Sequence, residues 1–71
     1  MLPERTIELI VDDCIKKYAR EHDGSHGWAK EDIENMVLKH GGEQKDVYAA
    51  IAHGLEKCLG VEVEPVRNLM N

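Results

Sequence analysis

Apolar residues recur at three- and four-residue steps through most of the chain. In LPERTIELIVDDCIKKYAREHDG, Ile7, Ile10, Val11, Cys14, Ile15 and Tyr18 fall on one side of a helical wheel. Pro3 suits a first helical turn, Glu4 and Glu8 lie near the positive end of the helix dipole, and Lys16, Lys17 and Arg20 lie toward its negative end. With Gly24 available for a left-handed stop, the pattern predicts a first helix over 3–22.

After a DGSHG loop, Ala29, Ile33, Met36, Val37 and His40 share a face of WAKEDIENMVLKHGG, and Glu31, Asp32 and Glu34 favour its N-terminal turns. Gly41 and Gly42 end this second helix, predicted over 29–40. The third, over 43–59, places Val47, Tyr48, Ile51, Leu55, Cys58 and Leu59 on a wide apolar arc extended at its edges by Ala50, Ala52 and Gly54. So wide an arc marks this helix as the central one, buried on more than one side. Gly54 inside it costs ~1 kcal/mol relative to alanine, which calls for a close neighbour. The Ala50 and Gly54 step is read as internal packing against helix one, with a dimer contact as the alternative.

In the tail, residues 60–71, Val61 and Val63 alternate with Glu62 and Glu64 before Pro65, and Val66, Leu69 and Met70 complete one amphipathic turn. The VEV stretch reads as extended, and strand pairing with another chain is its alternative. The fold expected is all-α, one helical domain over 1–71: a small three-helix bundle with a short C-terminal extended or helical segment packed on it.

Composition sharpens that picture in two ways. A chain of 71 residues with one Trp, two Tyr and no Phe builds a small core. No apolar run approaches the roughly 20 residues needed to cross a bilayer, and the charges in MLPERTIEL break the apolar segment that a signal peptide requires, so a soluble cytoplasmic protein is expected. Cys14 and Cys58 have no metal-type spacing and fall in apolar stripes, which reads as reduced, buried thiols.

The net charge of -5 is spread along the chain, an unfavourable start for binding phosphates. Even so, helix two, the Gly41-Gly42 turn and helix three have the outline of a helix-turn-helix, whose second helix reads bases in the major groove. The side of helix three expected to be exposed carries Lys45, Asp46, Ala49, His53, Glu56 and Lys57, with Gln44 near its start. Gln44, Lys45, Ala49 and His53 are the candidate DNA contacts, while Asp46 and Glu56 oppose a polyanion.

No catalytic or cofactor motif stands in the sequence. His22 and His26 lie four apart, but Gly24 interrupts the helix that would align them on a metal, so the pair reads as a surface loop. Ser25 beside His26 lacks an orienting acid, and the pairs Asp12-Asp13 and Glu31-Asp32 lie on solvated faces. The basic end of helix one complements the helix dipole.

What a bare three-helix core leaves over is apolar. Leu2 and Leu9, seven apart, fall on the side of helix one away from its stripe, and Leu38 points off the stripe of helix two. With Val66, Leu69 and Met70 they exceed what a small monomer ordinarily exposes. Trp28 is a possible interface anchor, although closing one end of the core is the preferred reading for it. The function expected is a small acidic, non-enzymatic interaction module, an adaptor, inhibitor or regulatory subunit, that binds a protein partner or itself with no cofactor or metal. The alternative is a helix-turn-helix transcriptional regulator that uses the helix after Gly41-Gly42.

Overall fold

The three apolar periodicities form three helices in the computed structural model, which describes residues 1–58. These are α1 (Glu4–Glu21), α2 (Lys30–Lys39) and α3 (Gln44–Lys57), and each packs against both others. The predicted three-helix bundle is therefore observed, with helix ends within two residues of expectation. The segment predicted to pack on it, residues 60–71, lies outside the described residues.

Helix ends follow local chemistry. At the end of α2, Gly41 takes φ 83°. Its N–H donates to the Leu38 carbonyl (3.0 Å) and that of Gly42 to Val37 (2.9 Å), closing a Schellman motif that satisfies two of the last carbonyls. At the end of α1 the left-handed turn begins one residue before the expected glycine. Asp23 has φ 56°, Gly24 follows at 80°, and the Gly24 N–H reaches the Ala19 carbonyl at 2.7 Å.

The core gathers Ile7, Ile10, Val11 and Cys14 from α1, Ile33 and Val37 from α2, Val47 and Ala50 from α3, and Trp28 from the loop before α2. For α1 and α2 these are the predicted stripes. Helix α3 departs from its prediction by roughly a quarter turn about its axis. Its buried positions are Asp46, Val47, Ala50 and Gly54, whereas Tyr48 and Leu55, expected inside, are 64% and 50% exposed.

Two segments that are not helical set this rotation. A Cβ placed on Gly54 would lie 2.8 Å from Cε2 and Nε1 of Trp28, so the indole fills the space a side chain would need. The indole N–H also donates to the Cys58 carbonyl at 3.1 Å. The compensating neighbour of Gly54 is thus the loop tryptophan. Near the other end of α3, Leu2 packs over Gly42, where a Cβ would approach Leu2 Cδ1 to 2.9 Å.

Asp46, expected on the solvent side, is 1% exposed. Its Oδ2 accepts the Glu43 N–H (2.8 Å) at the N-cap of α3, and its Oδ1 accepts the Leu2 N–H (3.1 Å). One carboxylate therefore caps α3 and ties down the chain that precedes α1. The Glu43 N–H holds the carboxyl below its ordinary value of 3.8 against the opposing effect of burial, and the Leu2 N–H, the terminal ammonium and Lys45 act in the same lowering direction.

A depressed folded-state pKa stabilises the fold fully above about pH 3.8, and that contribution is lost as pH falls through the lower folded value. Asp46→Asn leaves one of the two N–H groups without its acceptor, because an amide offers a single carbonyl oxygen. We expect a thermal midpoint several degrees lower at pH 7, with the gap to wild type narrowing below pH 3.8. Equal stabilities at pH 7 would show that Asp46 contributes nothing.

Candidate interaction surface

Among the described residues, those predicted to form an interface do not converge. Trp28 is buried against Gly54, and Leu2 is half-buried against Gly42. Leu9 and Leu38 are exposed (54% and 52%). Each lies across its own helix from the buried stripe, so the two face away from the bundle in different directions. Leu69 and Met70, with Val66, lie outside the described residues.

The rotation of α3 creates a different surface. Tyr48 and Leu55 sit seven residues apart, roughly 10 Å along the axis, on the outward face with the exposed Ala52 between them. Ala49 is exposed beside them, and from Val47 to Leu55 the helix carries no acidic or basic residue except His53. The signal for this face was present in the sequence, since apolar residues occupy nearly the whole circumference of VYAAIAHGL. One buried stripe does not use that many.

Between this face and α1 runs an open groove of about 510 Å³. Leu2, Ile7, Ala49 and Ala52 make it apolar, and its acids are Glu4, Glu8, Glu56 and the buried Asp46, whose oxygens already accept two N–H groups. His53 also lines it, and its Nε2 is buried with no hydrogen-bond partner among the described residues. One turn beyond Glu8 and one residue beyond Glu56, Lys57 Nζ reaches from α3 to Asp12 on α1 at 3.6 Å.

A second cleft, of about 530 Å³ between α1 and α2, holds Cys14, Lys17, Arg20, Asp32 and Lys39. Lys17 donates to Asp32 at 2.8 Å and joins the two helices, so its charge is already matched. Burial, reinforced by Asp32 and Asp13, pushes the Cys14 thiol up to about 11. It is protonated at neutral pH and a poor nucleophile. Cys58 is half-buried rather than buried.

Of the candidate DNA contacts, Gln44, Lys45 and Ala49 are exposed, whereas His53 is half-buried in the groove beside α1. The inward turn of Asp46 removes one acid from their surroundings. In the loop, His22 stacks on Tyr18 with ring centroids 4.0 Å apart, and the Ser25 hydroxyl donates to the His22 carbonyl at 2.7 Å. Among the described residues, no three His, Cys, Asp or Glu side chains gather as a metal-holding group, and no helix is long and apolar enough to cross a membrane. Comparison with protein-family models, curated proteins and solved structures finds no match.

Proposed function

We propose that this chain is a small protein-binding module whose contact face is the outward side of α3, and that it acts on its partner by binding, as an adaptor, inhibitor or regulatory subunit. The observation that carries this reading is the exposed Tyr48 and Leu55 at seven-residue spacing, separated by alanine on a helix face without charge. A large aromatic flanked by small residues is the composition of an interface hot spot, and a helix face with anchors two turns apart fits helix-to-groove recognition. A catalytic role has less support, because the Cys14 thiol in the cleft between α1 and α2 is held protonated. A partner of a different kind is favoured over a second copy, since two copies would each bring a net charge of -5.

A second reading, DNA recognition by the start of α3, gains from one observation. With Asp46 turned inward, Gln44, Lys45 and Ala49 are exposed on the first turns of the helix. Glu43 directly precedes them and Ala49 lines the groove with Glu4, Glu8 and Glu56, so protein binding remains the conclusion.

Affinity capture from the native source with wild type, Tyr48→Asp and Leu55→Asp tests the main reading. Both side chains are exposed, so the variants are expected to keep wild-type helicity. A lost hot spot of about 2 kcal/mol or more predicts roughly 30-fold weaker binding, and the captured protein should disappear. The same protein recovered equally by all three would sink the reading. In a separate amide NMR titration with mixed-sequence duplex DNA at low salt, we expect Gln44 and Lys45 to stay unshifted. Saturable shifts there, removed by Lys45→Glu, would move the function to nucleic acid.

A further inference from the structure

The groove between α1 and α3 narrows the chemistry of the partner. We infer that it seats an amphipathic helix whose apolar face is flanked by lysine or arginine, supplied by the protein that the outward face of α3 recognises; the inference thus rests on the protein-binding reading. The occupant follows from charge and shape together. Glu4 and Glu8 stand one turn apart on α1, a like-charge spacing that disfavours an isolated helix, and Glu56 lies in the same groove from α3. Among the described residues none of the three has a cationic partner within 4.0 Å: Lys57 is held by Asp12 and the terminal ammonium by Glu43 at 3.7 Å, while Arg5 and Lys45, exposed beside the groove, form no ion pair with its acids.

Three acids along an apolar trough therefore have no side-chain cation among the described residues, and a docked cation is what would match them. Ala49 and Ala52 on the trough's α3 side let another backbone approach closely, as a docked helix requires. Nucleic acid has the wrong charge for this trough. So do a second copy of this net-negative chain and its own residues 59–71, which carry Glu62 and Glu64 against the single Arg67. His53, whose buried Nε2 has no hydrogen-bond partner among the described residues, lines the same trough.

The test uses the full chain, isotope-labelled, titrated at low salt with a helical peptide of leucines on one face and lysines on the flanks. A second peptide has glutamate at every lysine. We expect saturable amide shifts from the lysine peptide centred on Glu4, Glu8, Ala49, Ala52 and Glu56, and none from the glutamate peptide. The double variant Glu8→Lys with Glu56→Lys, checked for wild-type helicity, should bind the lysine peptide at least about tenfold more weakly and gain affinity for the glutamate peptide. Absence of binding, equal binding of both peptides, or shifts spread over Asp13, Glu31 and Glu34 as strongly as over the groove would overturn the inference. Capture of a partner that Tyr48→Asp abolishes but the groove variant leaves intact would preserve the wider reading while removing this one.

Discussion

The indole of Trp28 occupies the volume that a side chain at position 54 would need, and this steric fit decides how α3 is turned in the bundle. Glycine there lowers helix propensity by ~1 kcal/mol. Seating a tryptophan that buries about 150–250 Å² gains several times that amount at roughly 25 cal/mol per Å². The small residues of α3, Ala50 and Gly54, consequently face inward, and its larger ones, Tyr48 and Leu55, face outward. A helix that would otherwise bury its bulky residues displays them instead.

Much of the architecture was legible in the sequence. The helices follow from apolar steps of three and four, and their ends from Pro3, Gly24 and the Gly41-Gly42 pair. The rotation of α3 was not, because apolar residues surround VYAAIAHGL and periodicity alone selects no face. Leu2 was grouped with Leu9 by a seven-residue spacing, but α1 starts at Glu4, so helical spacing does not extend back to Leu2. Asp46 looked like a surface acid. Its place three residues after Glu43, directly beyond a glycine pair, was the readable sign of a capping role.

The candidate surface emerges from those same three points. Trp28 is drawn inside by Gly54, Leu2 is held half-buried against Gly42, and Asp46 is drawn inside by the N–H groups of Leu2 and Glu43. With these groups committed to a small core, binding chemistry is left to the outer faces of the helices. Charge is partitioned similarly: Lys17, Lys30 and Lys57 are each engaged by a neighbouring acid, whereas Glu4, Glu8 and Glu56 are not among the described pairs. The apolar residues on the outside of α3 and the acids beside it are the two features on which the proposed basic, amphipathic partner rests.

Chemical denaturation of Gly54→Ala beside wild type tests the seating of α3 most directly, because two effects compete with opposite sign. Helix propensity alone would raise stability by about 1 kcal/mol. A methyl group driven into a buried, hydrogen-bonded indole carries an overpacking penalty of about 1–3 kcal/mol, and we expect it to prevail and lower the unfolding midpoint. A variant as stable as wild type, or more so, would mean that Trp28 does not hold α3 in this orientation and that Tyr48 and Leu55 are not displayed by the fold as described.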